Sequence, residues 1–276
     1  MSLHRLASAG AACAAVLSLS ALASANPKAL PFTYGTQTNP QGQGEVENYV
    51  DLVPLRARSG TTGEIVKYLM PQLQTEFEWG LSDRLELGLY VTATPRLGDN
   101  LSSYPVGVGG NGVKARLRYR FADEGDWPID VGLYTEIVAN DREFELEAKV
   151  LLQKRIKNLL VLSNLWVEHE FYWDGRREWV LNPTFGFQYQ VTPSFFPGIE
   201  AWMRYEIDAG GEEEEEREAS FNVGPHVYVG PTMMVDWGRF FLTTGLYFRT
   251  TEVGRTPQIG DNFGAMWYRL IIGFQI

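Results

Sequence analysis

Cysteine is all but missing. Of 276 residues only Cys13 is one, and it lies in the apolar run that opens the chain. A disulfide framework and thiol chemistry are thereby excluded for everything that follows it. Histidine is nearly as scarce, at three residues. The two beyond residue 25, His169 and His226, make neither a zinc set nor a base beside a nucleophile. Ser163 shares a strand with His169 but stands about 20 Å away at strand rise, so a lipase-type barrel enzyme is not expected, and no catalytic residue, cofactor or metal site is assigned. Positive charge is in deficit, with 24 Lys and Arg against 34 Asp and Glu, which argues against nucleic acid as a partner. Past residue 25 there is no apolar run of the ~18 residues that a spanning helix requires, and the mean hydropathy is only −0.18. A β-barrel escapes that test, because lipid meets only alternate side chains of its strands.

What the chain does have begins with an address. A short basic start (His4, Arg5) leads into the apolar run Ala11–Leu22, and Ala23-Ser24-Ala25 ahead of Asn26 is the small-x-small pattern a signal peptidase cuts. Residues 1–25 therefore read as a cleaved signal peptide, and the protein as exported. Removal takes away one basic residue, Arg5, and moves the net charge of −10 one unit further negative. Residues 26–43, polar with Pro and Gly, read as a flexible periplasmic lead. Residues 44–276 carry the fold. Glycine (28 residues) and aromatics (13%) are plentiful, as turns and interfacial girdles require.

The stretch Pro71–Thr94 sets the rule. Gln72, Gln74, Glu76 and Glu78 alternate with Leu73, Thr75, Phe77 and Trp79; Gly80-Leu81-Ser82-Asp83 reverses the chain; and Leu85, Leu87, Leu89 and Val91 alternate with Glu86, Gly88 and Tyr90. A period of two means a strand with one wet and one dry face, and each strand reaches the roughly 9–11 residues that cross a bilayer. Similar runs follow to Ile276, giving about twelve strands, so the expected fold is all-β: a single transmembrane antiparallel up-and-down barrel. Short connections (Gly80–Asp83, Lys154–Asn158, Gln190–Ser194, Gly238-Arg239) fall on one side and long ones (Pro95–Asn111, Asp208–Ala219, Val253–Asn262) on the other. Outward aromatics recur at the short-turn ends, in Phe77, Trp79, Tyr119, Phe121, Phe187, Tyr189, Trp237 and Phe274, which is an interfacial belt. A soluble periplasmic β-sandwich is the rival fold.

The phrase Glu78-Trp79-Gly80-Leu81-Ser82-Asp83-Arg84-Leu85-Glu86-Leu87-Gly88-Leu89 resembles the early hairpin of an outer-membrane barrel family ascribed to transport in the meta-cleavage pathway of phenol degradation. Asn158–Leu165 and the Gly238-Arg239-Phe240 turn are similar to that family too. The resemblance spans roughly Glu45–Ile276 and implies outer-membrane location more than any substrate. The closing pattern Tyr268, Leu270, Ile272, Phe274, Ile276 is similar to the insertion signal of such barrels, so the barrel assembly machinery is an implied partner, together with outer-membrane lipid and lipopolysaccharide.

Charge at inward positions is the candidate chemistry. Lys114, Arg116, Arg118 and Arg120 form a basic row on one strand, flanked by Glu86, Asp130 and Glu136, with Glu76 and Glu78 on the same ladder. Neighbouring carboxylates should pair with such a row, either as a ladder that stiffens the barrel or as a stripe that guides a polar or anionic solute. Glu145, Glu147, Lys149, Glu168, Glu170, Glu200, Arg204 and Glu206 extend the polar face. Inward Trp166, Trp202, Tyr228 and Trp267 are candidates for a constriction. Glu212, Glu213, Glu214, Glu215 and Glu216 fall on an outer loop. That run reads as a solvated segment or as a binder of the divalent cations that bridge lipopolysaccharide. The functional expectation is a monomeric passive channel or binding protein for an unidentified small solute, with a closed structural or surface-interaction barrel as the alternative.

Overall fold

The computed structural model describes residues 26–59, 62–95, 111–208, 225–251 and 263–276. Among these are thirteen strands: β1 (Gly44–Arg58), β2 (Ile65–Ser82), β3 (Leu85–Ala93), β4 (Gly112–Arg120), β5 (Asp130–Asn140), β6 (Glu143–Ile156), β7 (Leu159–Tyr172), β8 (Arg177–Leu181), β9 (Thr184–Tyr189), β10 (Phe195–Asp208), β11 (His226–Asp236), β12 (Phe240–Arg249) and β13 (Met266–Gln275). The strands β8 and β9 are two halves of one stave, since both lie between β7 and β10. They part at Asn182-Pro183, where proline brings no N–H to the ladder. Counted once, they give the expected twelve staves, antiparallel throughout, with the ring closed by β10 on β11 and by β13 on β1. Both chain ends of the barrel lie at the short-turn end, where Glu45 stands opposite Gln275.

The two faces fall as the alternation requires. Phe77, Trp79, Leu89 and Val91 are about half exposed on the outside, while Glu76, Glu78 and Glu86 are buried within. The outward aromatics Tyr119, Phe121, Phe187, Tyr189, Trp237 and Phe274 are exposed at the short-turn end, so the belt stands at one height. An apolar outer band with a girdle of rings is the surface hydrocarbon selects. The rival sandwich, with Leu89 turned into a core and Glu76 outside, is excluded.

The lead is where the structure departs from expectation. Of residues 26–43, expected to be flexible and periplasmic, 26–39 run inside the barrel and 40–42 emerge exposed at the short-turn rim. Leu30, Phe32, Tyr34 and Asn39 are buried, and their backbone is held by inward side chains. Glu200 Oε1 accepts from the N–H of Phe32 (3.0 Å) and of Thr33 (2.5 Å). Asn164 brackets Tyr34, accepting its N–H at 2.8 Å and donating to its carbonyl at 2.9 Å. Gln153 accepts from Thr36 N–H and Glu86 from Asn39 N–H. An extended segment with no sheet partner must satisfy its backbone somewhere; here the barrel's polar inner wall supplies the acceptors. Gly80 makes the exit possible, because a Cβ there would lie 2.1 Å from the carbonyl oxygen of Pro40.

The same segment explains why β1 alternates poorly. Its inward positions change from Glu45, Glu47 and Asp51 to Val53 and Leu55, which pack with Met70 in an apolar cluster around Phe32. From Leu52 to Leu55 both faces are therefore apolar, and the period-two contrast vanishes there. The strand β2 likewise begins at Ile65, well before Pro71. The acidic run Glu212–Glu216 lies outside the described residues.

Candidate functional site: a charged lumen

Arg116 on β4 is the hub of the lower lumen, the half nearer the short turns. Its guanidinium is fully enclosed and meets Glu76 at 2.6 Å, Glu86 at 2.8 Å and Glu78, and its Nε also donates to the Tyr90 hydroxyl at 2.8 Å. Gly88 opposite Arg116 leaves the space, since a Cβ there would stand 2.6 Å from Arg116 Nε. Arg118 shares Glu86 at 2.6 Å and reaches Glu78 at 3.7 Å. The planar five-donor guanidinium suits such multiple pairing, and burial of the set is tolerable only because each charge has partners.

The expected ladder is thus partly assembled and partly not. Glu76, Glu78, Glu86, Arg116 and Arg118 form one network, and Lys114 pairs separately with Glu136 at 3.1 Å. Two members lie elsewhere. Asp130 takes no part, because its carboxylate accepts from Gly125 N–H at 2.8 Å and pins the β4–β5 turn. Arg120 turns to the rim, donating to the Asp83 carbonyl at 2.8 Å and pairing with Asp123 at 3.2 Å. Sequence reasoning also missed Tyr90 and Tyr134. Tyr134 donates to Glu136 at 2.6 Å, and its signal was an inward aromatic beside a carboxylate two residues away.

Of the four candidate constriction residues, three gather. Trp202 stacks on Tyr228 at 4.2 Å and meets Trp267 edge-on at 5.3 Å. Phe32 of the N-terminal segment completes the group, with its ring 4.7 Å from Trp202 and 5.2 Å from Tyr247. These rings grip the segment instead of ringing an open bore. Trp166 stands apart on β7, beneath Lys149 Nζ at 3.4 Å, with Tyr134 and Tyr34 on the same ammonium at 4.0 and 4.5 Å. That is an aromatic cage of the kind cations favour, and Tyr34 again belongs to the N-terminal segment.

Above this filled zone lies a vestibule. A cavity of about 170 Å³ reaches from rim residues such as Thr94, Asn140 and Arg142 down to Phe32 and Tyr34, which form its floor. Eight carboxylates and five basic side chains line it. Arg204 draws together Glu168 (2.8 Å), Glu170 (2.6 Å) and Glu206 (2.8 Å), and Asn182 donates to Glu168 at 2.8 Å. Glu145, Glu147 and Glu168 each bring a carboxylate oxygen within 4.8 Å of the others, with Lys149 on Glu147 at 2.7 Å. The inward His226 is buried against Phe263 at 4.4 Å, while His169 sits between Phe171 and Trp179.

No protein-family model and no curated protein matches the chain. Among solved structures it is similar to an outer-membrane channel from Pseudomonas putida F1, with a TM-score of 0.58 and 13% identity over 87% of this chain and 98% of that one. It is also similar to the NanC porin, with a TM-score of 0.52 and 11% identity over 84% of this chain and all of that one. At such identities the likeness speaks to architecture: this chain has the barrel fold of outer-membrane channels.

Proposed function

We propose that the chain is exported by residues 1–25, inserted in the outer membrane as a monomer by the barrel assembly machinery, and serves there as a passive channel or binding protein for a small solute. The observation that carries this reading is the vestibule: a polar cavity that, among the described residues, reaches the long-loop rim at Thr94, Asn140 and Arg142, inside a wall whose outer face is apolar. Its lining has more carboxylates than basic groups, so it favours cations and neutral polar solutes over anions. The anionic preference considered for the basic row recedes, because those cations are spent on Glu76, Glu78 and Glu86. A phenolic solute, as the likeness of Glu78–Leu89 to the phenol-pathway family suggests, is uncharged near neutral pH like a tyrosine hydroxyl and is not repelled. Passage further requires residues 26–43 to shift.

Planar-bilayer recording of the purified barrel tests the proposal. Steady, cation-preferring conductance supports it, and larger conductance after deletion of residues 27–38 identifies the segment as the barrier. The second reading, a closed barrel, is favoured by the packed lower lumen. Absence of conductance from both the intact and the shortened protein, each folded and heat-modifiable, would establish it instead.

A further inference from the structure

Three carboxylates at the short-turn end stand out from the network around Arg116. Glu45, Glu47 and Glu78 are buried, and each places an oxygen within 4.8 Å of the others. Glu78 is served by Arg116, Arg118 and the Asn39 amide. Glu47 accepts from the Tyr49 hydroxyl, to which Lys28 Nζ also donates at 3.1 Å. Glu45 is different. It has no exposed surface, no basic side chain among the described residues within ion-pair distance, and an Oε1 with no hydrogen-bond partner. Its one polar contact among the described residues is through Oε2, which accepts from the backbone nitrogen of Asn26 at 2.9 Å. A buried carboxylate in that condition is unfavourable by several kcal/mol, so it calls for a cation.

The nitrogen beside it becomes one on maturation. Asn26 directly follows Ala23-Ser24-Ala25, and cutting there hydrolyses the Ala25–Asn26 amide. The water's hydroxyl goes to the Ala25 carbonyl and its proton to the nitrogen. The new carboxyl releases a proton, and the amine, with an ordinary pKa of about 7.7–8.0, takes one up. One N–H donor is thereby replaced by an ammonium with three. A cavity of about 20 Å³ beside Asn26, lined in part by Glu47, Glu78 and Arg118, leaves room for the added protons or a water.

We propose that Glu45, with Glu47 and Glu78 beside it, is the receptor for the α-ammonium group of Asn26 created by signal-peptide cleavage. Processing then supplies the cation that fastens the N-terminal segment inside the barrel, and the uncut precursor lacks it. The inference rests on the export reading of residues 1–25 but not on transport. A divalent metal is the competing occupant.

Acylation of amines at neutral pH, mapped by mass spectrometry on the mature protein extracted from outer membranes, provides the test, with the exposed Lys157 as internal control. The Asn26 α-amine should react about tenfold more slowly in the folded barrel than in denaturant, and Glu45→Gln should restore most of that rate. A refolded chain with one extra alanine ahead of Asn26 displaces the ammonium by about 3.5 Å. It should lose the protection while remaining heat-modifiable, which keeps the test open if Glu45→Gln does not fold. Equal reactivity folded and unfolded overturns the proposal. So does a bound divalent ion, found by native mass spectrometry, that Glu45→Gln abolishes. A mature chain starting elsewhere than Asn26 overturns it too, while bilayer conductance continues to decide the channel reading by itself.

Discussion

The two ends of the lumen carry the same kind of side chain to different ends. Near the short turns, the Arg116 guanidinium is fully enclosed and is held by Glu76, Glu78, Glu86 and the Tyr90 hydroxyl. Near the long loops, Glu143, Glu145 and Glu206 line the vestibule cavity. A charge at an inward barrel position is therefore either cement or lining, and depth relative to the N-terminal segment decides which. Below the segment, removing one charge strands its partners in a space water does not reach. Above it, water and counter-ions replace a lost partner, and the effect passes from stability to selectivity.

Arg116→Leu breaks the comparison most severely if it is wrong. Three buried carboxylates lose their common cation, and unfolding in detergent and urea should show a loss of about 3–5 kcal/mol. Arg116→Lys should recover part of that, since a point charge cannot serve three carboxylates at once. A loss under about 1 kcal/mol would mean that water reaches the lower lumen after all. Next comes Glu200→Ala. It leaves the N–H groups of Phe32 and Thr33 without an acceptor and the Tyr247 hydroxyl unpaired, at about 1–3 kcal/mol. The cost falls on the docked segment and not on the ladder, so the barrel should stay heat-modifiable while its conductance rises. Unchanged conductance in the folded variant would show that Glu200 is not what holds the segment down.

How much of this was legible depended on which surface a residue faced. Phe77, Trp79 and Leu89 meet hydrocarbon, a uniform solvent that writes a regular pattern, and so the wall, its hand-over points and its aromatic belt could be read directly. The interior was harder because its solvent is the protein's own N-terminus. Leu30, Phe32 and Tyr34 already alternate with Pro31 and Thr33, a period a free tether has no reason to keep, and that was the missed signal. Its acceptors could not be found from spacing, since Tyr34 pairs with Asn164 across 130 residues and Phe32 with Glu200 across 168. Asp130 misled for a related reason: alternation places it inward correctly, but at the first rung of β5 its donor is a turn amide, not the basic row. The break at Asn182-Pro183 was visible as a proline, yet twelve staves survive it because the Asn182 N–H and the Pro183 carbonyl still bond Trp166 and Met203.

The smallest effect sharpens the comparison best, because its sign differs. Glu145 lies on the vestibule wall directly opposite Glu170 and within reach of Glu147 and Glu168. Like charges facing each other across a strand pair are destabilising. Glu145→Gln removes one of them without leaving a buried cation behind, so stability should stay within about 0.5 kcal/mol or rise slightly, in contrast to Arg116→Leu. What should change is the traveller: with one carboxylate fewer among eight facing five basic groups, the reversal potential under a salt gradient should move toward zero while unitary conductance is nearly kept. If Glu145→Gln instead lowers the urea midpoint as steeply as Arg116→Leu does, the upper lumen is as closed an ionic network as the lower one, and the division between cement and lining fails.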